Sequence, residues 1–263
     1  MLPIHKRPMN QARKEHASVY LNNFVYVLGG YDGTSNAFLN SCERYDLEKD
    51  EWRPIDPMLI AKCAFGACAM DNRYIFVVGG YDGIARLNTI ERYDTETQKW
   101  DMPKITLHEP LSNSACFSEL DNNLTILGGG YNHGFSLEVW TLDVEKFKWK
   151  EGPQMNDGRD LRNKLAIFGG YAYAVGGNSC KGERFSLAKR EWSPLFSYQH
   201  LVNDNLDSWS CALAYEISGR SDTNKNVNVY QNYHYDEAYD ADMLSEEHDS
   251  SLFEDWGENY SYV

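Results

Sequence analysis

Four diglycines, each ending a short apolar run, divide this 263-residue chain at nearly equal intervals. The runs are FVYVLGG (24–30), YIFVVGG (74–80), LTILGG (124–129) and YAYAVGG (171–177). They place Gly29 and Gly30, Gly79 and Gly80, Gly128 and Gly129, and Gly176 and Gly177 some 48 to 50 residues apart. A second marker keeps step with the first. Trp52, Trp100, Trp149 and Trp192 follow the four diglycines, and seven residues before each stands Tyr45, Tyr93, Leu142 or Phe185. Two markers in register four times over make chance a poor explanation. A period of this length means an array of similar supersecondary units.

Each unit reads as four strands. In the second they are roughly 65–70, 74–80, 89–94 and 99–103. Turn residues separate the first strand from the second: Asn22-Asn23, Asp71-Asn72, Asn122-Asn123 and Gly169-Gly170, the spacing of tight hairpins. The second strands are apolar at nearly every position, as expected where both faces are covered. Aromatic residues reach 14%, which favours strands over helices. Asp46, Asp94 and Asp143 follow the Tyr or Leu marker and are expected to bond backbone amides within the unit. Asp32 and Asp82, after the diglycines, are expected to fix turns.

GGYDG (29–33 and 79–83), ERYD (43–46 and 91–94) and the following Trp resemble the kelch repeat of BTB-kelch proteins. The resemblance covers about residues 3–215. It implies an all-β fold, a kelch β-propeller whose blades are these four-stranded units. The complete repeats are about 12–58, 61–103, 112–155 and 163–195, within a propeller domain of residues 1–218. The third departs from the pattern: Trp140 stands where ERYD has its Glu. Family propellers commonly have more than four blades. Residues 4–9 (IHKRPM) align with 55–58 (IDPM), and 208–215 (SWSCALAY) resemble a first strand. Two readings of closure stand: a composite blade built from 3–9 and 208–215 with 227–230 as a second strand, or an open piece of a longer array.

Residues 219–263 form an acidic, Tyr-rich tail, expected to be disordered. From 220 onward eleven Asp or Glu face Arg220 and Lys225, and eight aromatics lie among them. The tail reads either as a solvated segment or as a docking segment. The whole chain carries a net charge of −14, which opposes binding to nucleic acid or anionic membrane. Six Cys include no CxxC pair, so neither a zinc site nor a disulfide framework is expected, and the cytoplasm is the expected compartment. Seven dispersed His lack ligand spacing; no metal and no cofactor are expected, and no catalytic residue is assigned.

Function is therefore expected in the loops that the strands present. The resemblance implies a face made by two loop sets, one after each diglycine and one between blades. It carries Arg13, Tyr31, Lys62, Tyr81, Arg86, Tyr131, His133, Arg159 and Arg162. Arg and Tyr are common interface anchors. Five cations among these residues read either as ordinary solvated charges or, with the resemblance, as a receiver for an acidic peptide. The expectation is a non-enzymatic module for a protein or peptide partner, as a scaffold or as the substrate-recognition part of a cullin-type ubiquitin ligase. Neither a BTB nor a BACK domain precedes the repeats, so any ligase adaptor is expected to be another chain. The alternatives are an actin-associated cytoskeletal scaffold and a kelch-fold enzyme acting on a small molecule.

Overall fold

The computed structural model describes residues 6–119, 122–131, 134–162, 165–175 and 181–197. These fold into four antiparallel sheets of four strands, one per repeat. Blade 1 holds β1 (Ala17–Leu21), β2 (Phe24–Asp32), β3 (Ala37–Asp46) and β4 (Glu51–Ile55). Blade 2 holds β5 (Gly66–Met70), β6 (Tyr74–Val78), β7 (Ile90–Asp94) and β8 (Lys99–Asp101). In blade 3, β9 (Ala115–Glu119), β10 (Asn123–Leu127), β13 (Val139–Asp143) and β14 (Lys148–Glu151) pair in that order. A two-residue ribbon, β11 (Gly130–Tyr131) with β12 (Gly134–Phe135), projects from its diglycine loop. Blade 4 holds β15 (Ala166–Phe168), β16 (Tyr171–Ala174), β17 (Lys181–Ser186) and β18 (Glu191–Ser197).

The hairpin residues behave as their chemistry requires. Asn22 and Asn23 take φ of 50° and 68°, and Asp71 and Asn72 take 54° and 51°. Two consecutive positive φ values twist the chain to match the strands that flank it. The third turn differs from the expected Asn122-Asn123. Asn123 opens β10 opposite Glu119, and Asn122 alone of that pair is left-handed, at φ 59°.

Tyr45, Tyr93, Leu142 and Phe185 lie directly opposite Trp52, Trp100, Trp149 and Trp192 in the third–fourth strand pairings. The aromatic pairs stack at tilted angles with centroids 5.0, 5.1 and 5.2 Å apart in blades 1, 2 and 4. Three Trp indoles also tether the segment that leads into their own blade. Trp52 Nε1 donates to Arg7 O at 2.8 Å, Trp100 to Asp56 O at 2.8 Å and Trp192 to Pro153 O at 2.9 Å. Arg7 and Asp56 thus hold equivalent places, but in the linkers: residues 6–9 lie in no strand, contrary to the outer strand expected of 3–9. The proposed partners in a closing blade, 208–215 and 227–230, lie outside the described residues, as do the tail, Gly176 and Gly177.

The core lies between blades. Tyr26, Leu28, Ile75, Val77 and Tyr93 fill the first boundary; Phe76, Val78, Leu124, Ile126 and Leu142 fill the second. Phe117, Leu127, Ala172, Ala174 and Phe185 fill the third. The second strands β6 and β10 therefore each fill two boundaries, which explains their continuous apolar pattern. The linkers just ahead of successive first strands are also joined by backbone. Ala64 N–H donates to Glu15 O (3.0 Å), Asn113 N–H to Ala64 O (2.6 Å) and Arg162 N–H to Asn113 O (2.8 Å). The same residue position in each repeat, always at positive φ, makes this chain of contacts.

The diglycine serves the same boundary. Gly79 and Gly80 have φ of 65° and 107°, and Gly80 N–H donates to Leu111 O of the next linker at 2.8 Å. A Cβ on Gly79 would lie 2.2 Å from that carbonyl oxygen. Close backbone approach, together with left-handed φ, leaves glycine as the residue that fits.

Candidate functional site

The two loop sets meet on one side of the blades. The segment after each of the first three diglycines bridges the linker that enters its own blade: Lys14 with Tyr31, Cys63 with Tyr81, and Ser112 with Gly130. Turns stiffen these loops. Asp32 accepts from the backbone N–H groups of Thr34 (2.9 Å) and Ser35 (3.4 Å), and Asp82 from those of Ile84 and Ala85 (both 2.8 Å). The Ser35 hydroxyl, and then the Thr34 N–H, hold the Asp32 carboxyl below its ordinary value. Asp46, Asp94 and Asp143 make the equivalent bonds on the opposite, outer hairpins.

Three of the five cations expected on this face are not on it. Arg13, Lys62 and Arg159 are buried, the last two with no exposed surface. Each reaches a buried glutamate of the blade that follows its linker: Arg13–Glu43 at 3.0 Å, Lys62–Glu91 at 2.8 Å and Arg159–Glu183 at 3.1 Å. The same glutamates accept linker backbone N–H groups, from Asn10 (2.9 Å), Leu59 (2.7 Å) and Asn156 (3.0 Å). Arg13 further donates to Gly29 O and Ser41 O, both at 2.8 Å. These residues latch linker to blade. A buried charge costs too much without a partner, so their geometry is structural. The glutamate is the first residue of ERYD or ERFS, and its cation stands 24 to 30 residues earlier, a pairing visible as a recurrence once the linkers are aligned.

Of the remaining expected residues, Tyr31, Tyr81, Arg86, Tyr131 and Arg162 are half-buried on the loop side, and His133 lies outside the described residues. Arg162 is drawn back to the buried Asp160 at 3.2 Å, and Arg86 Nε donates to Ser112 Oγ at 3.2 Å. Tyr31 and Tyr81 are brought together by a residue that sequence reasoning passed over. Phe38 packs edge-on against both, with centroids 5.1 Å from Tyr31 and 5.7 Å from Tyr81. Lys14 Nζ lies 5.2 Å from the Tyr31 ring centroid. Ile84, beside this row, is 82% exposed. Phe38 was legible as an apolar residue in a diglycine loop; its spanning of two blades was not. Partial burial pushes both tyrosine hydroxyls above their ordinary value.

At the boundary between blades 2 and 3 the latch is replaced. Leu111 occupies the cation's position and Trp140 the glutamate's. Trp140 Nε1 donates to Glu138 Oε2 at 2.8 Å. The His108 ring stacks on Trp140 at 4.0 Å and 26°, and lies 5.1 Å from Trp149. A cavity of about 30 Å³ remains there, lined by these residues with Leu111 and Tyr131. Among the described residues no group of three or more His, Cys, Asp or Glu is arranged to hold a metal ion.

Comparison with known proteins agrees with this architecture. The family described as the KLHDC2/KLHL20/DRC7 kelch-repeats domain matches residues 2–177. Kelch-like protein 23 of Mus musculus is 26% identical over 216 residues, 80% of this chain and 37% of that protein. Kelch-like protein 25 of Xenopus tropicalis is 27% identical over 206 residues, 72% of this chain and 34% of that protein. Kelch-like protein 26 of Danio rerio is 36% identical over 113 residues, 41% of this chain. The chain thus spans little more than a third of the length of the first two relatives.

Proposed function

Because this chain belongs to the kelch-repeat family, we propose that it is a protein-interaction module whose loop-side face, over blades 1 and 2, holds a partner chain. The observation that carries this reading is the row Tyr31–Phe38–Tyr81 with exposed Ile84 beside it. Aromatic side chains with two χ angles give large contact area at small entropic cost, and they dominate interface energetics. The strands beneath are tied blade to blade, so the row is presented in a fixed geometry and little ordering is needed on binding.

Within this reading the bound chain is either a substrate presented to a cullin-type ubiquitin ligase or a cytoskeletal component held by a scaffold. Kinship to kelch-like proteins supports both roles equally, and co-purification of a cullin distinguishes them. The face reading is tested by quantitative affinity purification of the full chain against Tyr31→Ala with Tyr81→Ala, using Phe147→Ala as a control on an exposed outer hairpin. Partners held by the face lose at least about 30-fold occupancy in the double variant, equivalent to a hot-spot loss of about 2 kcal/mol, and none in the control. Equal recovery from all three proteins would refute the assignment.

A further inference from the structure

Three linkers carry their own cation into a slot beside the next blade's third strand: Arg13, Lys62 and Arg159. The fourth equivalent, between blades 2 and 3, carries Leu111 and leaves that charge unsupplied. The carboxylate is not lost with it. It moves two residues, from the position of Trp140 to Glu138, where it stays half-buried and lines the cavity. One of a carboxylate's roughly four acceptor positions is taken by the Trp140 indole, at 2.8 Å. The other walls are aromatic, from Trp140, Trp149, Tyr131 and the exposed His108, and aliphatic, from Leu107, Leu111 and Ile126. Aromatic faces beside an acceptor are the chemistry that receives an organic cation.

The charge around the opening has the same sense. A second carboxylate, Glu109, lines the cavity together with Glu138. The expectation of an acidic peptide depended on cations that the fold buries. The cavity's size then selects among cations. About 30 Å³ holds a group of about water's size and little more. The compact ammonium head of a lysine matches that volume better than a planar guanidinium or a trimethylated nitrogen.

We propose that the cavity at the blade 2–blade 3 boundary is a lysine slot, in which a partner's unmethylated lysine ammonium sits against Glu138 and the Trp140 and Trp149 rings. The inference rests on the reading of this chain as a protein-binding module and names the anchor its partner supplies. It makes the partner segment basic.

The test uses the full chain with 15N-labelled tryptophan, the Trp140 indole N–H signal being assigned by its absence in Trp140→Phe. n-Butylammonium chloride is titrated at constant ionic strength, beside n-butanol, n-butylguanidinium and tetramethylammonium. n-Butylammonium shifts the Trp140 signal saturably in the millimolar range, the other three at least fivefold more weakly. Glu138→Gln keeps an acceptor for the indole and weakens n-butylammonium at least fivefold. Absence of a saturable shift, or an equal response to n-butanol, overturns the slot in the wild-type protein without any variant. Equal binding of n-butylammonium by wild type and a folded Glu138→Gln also overturns it. The face reading is decided separately, because the Tyr31–Phe38–Tyr81 row belongs to blades 1 and 2 and its assay uses protein partners.

Discussion

Glu91→Gln removes the counter-charge of the Lys62 ammonium while leaving an acceptor for the Leu59 N–H. Both side chains are wholly buried and 2.8 Å apart. At an effective dielectric of about 20, Coulomb attraction at that distance is about 6 kcal/mol, most of it offset by the desolvation of both ions. The pair's net contribution is therefore small, but removal of one member leaves the other charged in a dry site, at a cost of about 3–5 kcal/mol. Lys62→Met alone strands the Glu91 carboxylate, still held by Leu59 N–H at 2.7 Å, and costs a similar amount. The double variant, Lys62→Met with Glu91→Gln, removes both charges and falls well short of the sum, with a coupling of at least about 2 kcal/mol. Urea unfolding of the four proteins at pH 7 measures this from midpoints at constant slope. The pH dependence adds an independent check. Burial holds Lys62 below its ordinary value and Glu91 opposes that. In Glu91→Gln the opposing pull is gone, the folded state binds fewer protons than the unfolded one, and its deficit shrinks as pH rises toward the ordinary lysine value. Additivity of the single variants within about 0.5 kcal/mol, or a Glu91→Gln cost under about 1 kcal/mol, would refute the latch.

Gly79→Ala places a methyl group 2.2 Å from Leu111 O at a φ of 65° and is expected to cost several kcal/mol, whereas Gly33→Ala, with nothing within 4 Å, stays within about 0.5 kcal/mol; thermal unfolding compares them. Burial, with Arg13 adding to it, holds His16 at about 4, against 6.5 for a free imidazole. Because that value is depressed, the unfolded chain takes up the proton first as pH falls. Stability is complete above about 6.5 and declines toward pH 4, by up to about 3 kcal/mol. Urea midpoints from pH 7 to 4.5 should fall more steeply for the wild type than for His16→Gln; parallel slopes would reject the assignment.

Much of the fold was legible because its determinants are local. Glycine permits the positive φ that the first three diglycines adopt, Asn-Asn and Asp-Asn make left-handed hairpin corners from their own chemistry, and a Tyr seven residues before a Trp spans one hairpin whatever surrounds it. These features recur with the repeat, so four sheets and their strand order follow from reading along the chain. The loops that present residues outward could likewise be placed by counting from each diglycine.

Which side chains those loops keep was decided only in three dimensions. Arg13, Lys62 and Arg159 look like any solvated cation in a linker, because the glutamates that withdraw them lie in another element, across a blade boundary. Phe38 matters through Tyr81, 43 positions on, and the cavity beside Trp140 exists because Leu111, 29 residues earlier, fails to reach across as a cation would. Periodicity dictates backbone, since hydrogen bonding and φ are settled over a few residues. Burial of a charge is settled by desolvation against a partner, and a partner is a matter of what the fold brings near.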